Sequence, residues 1–132
     1  MRLFRLFLFL LSIIIVSCGP PKDPAYEKLY DEVMVIHDEV MPKMTDINRA
    51  KKKLRKLKDG SNEELITLQI EQLDEADEAM MSWMHEFDKP ELPTLEENLN
   101  YLNKEKVKIQ QVSDQMLQSL QEADLLIKTY SK

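Results

Sequence analysis

The sequence predicts an all-α fold, an elongated antiparallel three-helix bundle running up-down-up with coiled-coil-like packing. Three observations lead there. Apolar residues after residue 23 recur at three- and four-residue steps, the period of a helix face. Asp31-Glu32-Val33-Met34 returns seven residues later as Asp38-Glu39-Val40-Met41, one heptad. The chain has only two glycines, Gly19 and Gly60, too few for a many-turned β architecture. Short loops make consecutive helices antiparallel.

Residues 1–17 read as a lipoprotein signal peptide. Arg2 and Arg5 are its positive start, and Leu6 to Val16 is an apolar run broken by Ser12. That run is well short of the ~20 residues that span a bilayer, so it suits a cleaved leader. It ends in Ile15-Val16-Ser17-Cys18, which resembles the lipobox of bacterial lipoproteins. The resemblance implies a diacylated Cys18 as the first residue of the mature protein, with cleavage before it. Two or three acyl chains hold a protein firmly, because each buried methylene contributes about 0.8 kcal/mol. Cys18 is the sole cysteine, so its modification leaves no thiol for a disulfide. In such lipoproteins an Asp after the cysteine favours inner-membrane retention. Here that residue is Gly19, which points to the outer membrane, on its periplasmic or its surface-exposed side.

Residues 18–23 form a lipidated tether stiffened by Pro20-Pro21, and residues 24–132 form the bundle. The first helix is expected over about 24–58. Asp23 is its N-cap and Pro24 its first residue, and Tyr26, Leu29, Tyr30, Val33, Ile36, His37, Val40, Met44, Ile47, Leu54 and Leu57 recur along its inward face. Pro42 lacks an N–H and clashes with the carbonyl of Asp38, so it should kink this helix. Gly60 is expected to stop it. Ser61-Asn62-Glu63-Glu64 has the pattern of a capping box and opens a second helix, about 62–88, with Ile66, Ile70, Leu73, Met80, Trp83, Met84 and Phe87 on one face. Thr94-Leu95-Glu96-Glu97 is another capping box and opens the third, about 95–130. Its expected buried face is Leu95, Leu99, Leu102, Ile109, Val112, Met116, Leu120, Ala123, Ile127 and Tyr130. At 1.5 Å per residue the three helices measure roughly 50, 40 and 54 Å.

Composition narrows the function. The whole chain carries a net charge of −6, and loss of the two leader arginines takes the mature chain to about −8. That balance speaks against a nucleic-acid partner. The basic run Lys51 to Lys58 reads as the favourable end of a helix, facing Glu63, Glu64 and Glu71. The acidic run Asp74 to Glu78 reads as a solvated face opposite lysines of the third helix. P-loops and dinucleotide fingerprints need glycines that are not here. His37-Asp38 lacks the further ligands of a phosphohydrolase metal dyad. Met84-His85-Glu86 lacks the second histidine of a zinc protease motif, and the Glu-x-x-His pairs of a di-iron bundle are missing. An enzyme is therefore not expected.

One chemical motif stands out. Both histidines and most methionines fall in two stretches, Met34, His37, Met41, Met44 and Met80, Met81, Met84, His85. A hairpin turning near residue 60 brings these stretches to one level. Thioether and imidazole together suit Cu(I), with His37, Met41, Met44, Met80, Met84 and His85 as candidate ligands. Methionine also fills irregular cores and packs well against aromatics such as Trp83, and core packing with no cofactor is the favoured reading. A Met-rich groove for a partner is the third.

The lipobox, the short tether, His37-Asp38-Glu39-Val40-Met41-Pro42-Lys43-Met44 and Met80-Met81-Ser82-Trp83-Met84 together resemble a group of small bacterial lipoproteins labelled "viral A-type inclusion protein". The resemblance covers most of the mature chain. It implies an envelope location and a helical form, and it supplies no mechanism. The expectation is a lipid-anchored envelope bundle with a structural or partner-binding role and an envelope protein as partner. Copper binding is the alternative. The heptad leaves room for pairing into a larger coiled-coil assembly, and the sequence does not fix the oligomeric state.

Overall fold

The computed structural model describes residues 23–131, so the signal peptide and Cys18 lie outside the described residues. Four helices follow in order: α1 Pro24–Val40, α2 Lys43–Leu57, α3 Glu63–Glu86 and α4 Leu95–Tyr130. No strand occurs among the described residues. The expected all-α bundle is the observed fold. α1 and α2 together make the first rod, α3 the second and α4 the third, and α4 packs against all the others. Among the described residues no helix is long and apolar enough to cross a membrane.

The single helix expected over 24–58 is two helices, because Pro42 interrupts it. Met41 and Pro42 keep near-helical backbone angles (φ −52°, ψ −40° and φ −61°, ψ −21°). Pro42 has no N–H to give to Asp38. The chain tightens instead, with Met44 N–H donating to the Met41 carbonyl at 3.1 Å and Thr45 N–H to the Pro42 carbonyl at 3.2 Å. These are three-residue steps in place of four, and they let α2 set its own direction.

At α1 the Asp23 carboxylate accepts from Ala25 N–H at 2.8 Å, and Pro24 takes the first turn. At α4 the Thr94–Glu97 capping box is complete. Glu97 N–H donates to Thr94 Oγ1 at 3.2 Å, and Thr94 N–H to Glu97 Oε2 at 3.1 Å. The Ser61 box does not form. The cap is Asn62, which makes no side-chain cap bond. Its buried amide ties the turn together, donating to the Leu57 carbonyl at 3.0 Å and accepting from Asp59 N–H at 2.8 Å. Gly60 does not act as a left-handed stop, since its φ is not positive.

Two predictions arise at this turn. A Cβ at Gly60 would meet nothing within 4 Å, so Gly60→Ala should stabilise by about 0.4–1 kcal/mol through the unfolded chain. Asn62→Ala should cost about 1–2 kcal/mol, since two hydrogen bonds go at once. Urea unfolding measures both. Asp59 accepts from the Ser61 hydroxyl at 2.6 Å, from Ser61 N–H at 2.7 Å and from Asn62 N–H at 3.2 Å. The Ser61 bonds hold its carboxyl below the ordinary 3.8. A depressed carboxyl stabilises the fold above its unfolded value, and that contribution fades as pH falls through the folded one. Carboxyl-detected NMR should find Asp59 still ionised at a pH where an aspartate of ordinary value is half protonated.

The core stripe runs the length of the bundle. Val33, Ile47, Leu54, Ile66, Leu73, Met80, Leu102, Ile109 and Met116 are fully buried, each large aliphatic contributing about 1.5–3 kcal/mol. Ring contacts join α1 to α3 and its C-cap: Tyr30 lies 6.2 Å from Phe87, and His37, in the last turn of α1, lies 5.5 Å from Trp83 between centroids. The Tyr26 hydroxyl donates to the Pro90 carbonyl at 3.1 Å. That bond fastens the beginning of α1 to the α3–α4 loop.

Candidate functional site

The methionine–histidine level is built on α1, α2 and α3. In α3 the three- and four-residue steps from Met80 to Trp83 and Met84 turn these side chains inward. Met80 is wholly buried, Trp83 is buried, and Met84 is half-buried against the core. From the first rod, His37 faces Trp83, and Met44 packs half-buried on the same core. Met41 sits at the Pro42 break and is exposed. His85 is exposed and shares its face with exposed Met81, one turn earlier, away from Met80. The level therefore brings His37 against Trp83, with Met80 and Met84 flanking Trp83 along α3, while Met44 packs on the same core about two turns further along the first rod. It leaves Met41 at its edge and His85 on the outer face.

His37 has one nitrogen committed. Its Nδ1 lies 2.8 Å from Asp38 Oδ1, which leaves Nε2 as the ring atom for any ligand. Among the described residues no three His, Cys, Asp or Glu side chains gather into a metal-holding group. A metal here would need thioether ligands.

A buried carboxylate that the sequence reading passed over completes the level. Glu105 of α4 is 4 % exposed. Its Oε2 accepts from Trp83 Nε1 at 3.1 Å, and its Oε1 accepts from Lys108 Nζ at 2.7 Å. The hydrogen bond and the charge of Glu105 raise the Lys108 ammonium above its ordinary 10.5. The signal was in the spacing. The buried face of α4 is Leu102, Glu105, Ile109, Ser113, Met116, Ser119 and Ala123, steps of three and four that include three polar residues. Ser119 contributes its carbonyl, which accepts from Gln69 Nε2 at 3.1 Å.

The charged runs find only some of the places expected of them. Lys51 is buried, and its Nζ lies 2.7 Å from Asp74 Oδ1 and 3.6 Å from Asp77 Oδ2. Asp74 thus faces α2 and not a lysine of α4. Lys58 meets Glu63 at 3.0 Å, as the hairpin implies. Lys106 of α4 reaches instead to Glu32 of α1 at 2.7 Å, and this pairing lowers the Glu32 carboxyl.

The arrangement orients and packs. Glu105 and His37 each hold a local partner. No family model matches the chain, and neither does any curated protein or solved structure.

Proposed function

We propose that this chain is a lipid-anchored protein of the bacterial cell envelope whose helical bundle has a structural or partner-binding role and performs no catalysis. The observation that carries the reading is Cys18, which closes the apolar run Leu6–Val16 and stands about five residues before the Asp23 cap of α1. Such a tether spans at most about 18 Å. The anchored end would then be the one where Tyr26 is fastened to the α3–α4 loop. The polar groups inside the bundle tie helices to one another, which suits a rod that holds its shape under load.

The test is made in cells expressing the full chain and fed a labelled fatty acid. The label should enter the protein, and the protein should fractionate with membranes. Cys18→Ser should lose the label and leave the membrane fraction. An unlabelled wild-type chain, or one released by washing, would overturn the reading.

Copper binding is the second reading, and one observation favours it. The Asp38 carboxylate holds His37 Nδ1, the arrangement that orients a ligating imidazole through its other nitrogen. Met80 and Met84 stand on either side, along α3, of the Trp83 ring that His37 faces. Titration with Cu(I) against a chelating competitor decides the matter. Under the packing reading, affinity is no tighter than micromolar and His37→Ala changes nothing. Stoichiometric tighter binding that His37→Ala abolishes would install copper in its place.

A further inference from the structure

Two grooves of opposite charge flank α4. Between α2 and α4 the groove presents Lys43, Arg49, Lys53 and Lys128 against Asp46 and Asp124. Asp46 is already held there by Lys43 and Arg49, each at 3.4 Å. Between α3 and α4 the groove presents Glu75, Asp114 and Glu122, with glutamines and Ser119 and no basic side chain in its lining. The acidic groove continues into an apolar hollow that includes Leu65, Leu68 and Leu125. Leu125 also lines the basic groove, so it crowns the ridge between the two flanks. Leu65, Leu68, Leu117 and Leu125 expose 46, 53, 48 and 57 % of their surface. Clustered leucines of this kind, rimmed by charge, mark an interaction surface.

We propose that two copies of this chain pair side by side and parallel along the part of α4 from Leu117 to Lys128, with Leu125 against its own symmetry mate. Symmetry chooses the direction. If the two-fold axis runs along α4, each copy's basic flank lies against the other's acidic flank, and residues on the ridge meet themselves. If the axis lies across α4, the helices are antiparallel and like flanks face each other, which is repulsive. A chain of net charge −6 repels its own kind in general, so association needs this local complementarity. Asp114 would meet its own mate on the same ridge. That confines the contact to the stretch beyond it. The pairing stands on the described surface alone. It also leaves both N-termini at one end, as two anchors in one bilayer require.

The test uses the purified full chain in detergent, with mass read by sedimentation. Wild type should show twice the protomer mass. Leu125→Glu should raise the dissociation constant at least about tenfold, as loss of a central anchor does, with helical circular dichroism unchanged because the side chain is exposed. Lys53→Glu and Glu122→Lys should each weaken the dimer, and the two together should restore it. Under oxidation Leu125→Cys should give a disulfide-linked dimer, and Val35→Cys on α1 should not. A protomer mass for wild type overturns the proposal. So do a Leu125→Glu dimer as tight as wild type and a Leu125→Cys chain that forms no more disulfide than Val35→Cys.

Discussion

Trp83→Ala should lower the free energy of unfolding by about 3–5 kcal/mol, the range for deleting a buried large aromatic. Trp83 is 5 % exposed, stacks on Phe87 at 4.7 Å and faces His37 at 5.5 Å. Its removal opens a cavity at the level where α1, α3 and α4 meet. It also takes the indole N–H from Glu105 Oε2, in a place where water has little access. Trp83→Phe separates the two losses. It keeps most of the ring and deletes the donor, and should cost about 1–3 kcal/mol for the unpaired carboxylate oxygen. Adding Glu105→Leu to Trp83→Phe should recover much of that, since an unmatched polar group costs more than an absent pair. Urea unfolding of the wild type, both singles and the double closes the cycle. Additive singles would show that the indole and the carboxylate are energetically independent. Lys108 adds a pH signature. Its folded value is raised by Glu105, so its contribution is complete below the unfolded value and is lost as pH rises through the folded one, in the alkaline range. Glu105→Leu should remove that alkaline loss.

The outline of this bundle was legible because its elements announce themselves. Thr94 and Glu97 form the box that their spacing implies, and α4 runs from Leu95 to Tyr130. His37 meets Trp83, as a hairpin centred near residue 60 requires. Three things were hidden, each for a physical reason. The consequence of Pro42 depends on whether the helix absorbs the missing hydrogen bond by bending or by breaking, and packing of α2 on α3 decides that. The 58–62 turn depends on an asparagine amide that can serve as cap or as strut, and the positions of Leu57 and Asp59 make Asn62 a strut. Glu105 was passed over and Lys51 was placed opposite Glu63, Glu64 and Glu71, because charged side chains of their type are usually exposed or paired at the surface. Each is buried because a specific partner across the bundle completes it. At the methionine–histidine level the helical period placed Met80, Trp83 and Met84 correctly on one face. The same period separates His85 from them, on the face it shares with Met81.

Lys51→Met should cost about 1–3 kcal/mol, the range for a charge-assisted hydrogen bond and the desolvated groups it leaves. Exposed Lys52→Met should fall within about 0.5 kcal/mol of wild type. The two residues are neighbours in one basic run, and burial alone separates them. Lys51 is 7 % exposed, with Asp74 Oδ1 at 2.7 Å and Asp77 Oδ2 at 3.6 Å. The other oxygen of Asp77 is buried with no hydrogen-bond partner. Without the ammonium, two carboxylates one turn apart on α3 would repel, and one of them could not fully hydrate. Asp77→Asn in the Lys51→Met background should therefore restore part of the loss, while in the wild-type background it should destabilise. A cost that vanishes in 1 M salt would mark the pair as an exposed one, because buried pairs are screened far less. The pair also fixes how α2 is turned. Residues 49 and 53 lie two positions either side of Lys51, nearly half a turn round the helix. Holding Lys51 against α3 thus swings Arg49 and Lys53 to the α4 side, where they rim the basic groove. Lys51→Met should accordingly loosen that rim, seen as faster amide exchange in α2 than in α3, without altering the helical content of the bundle.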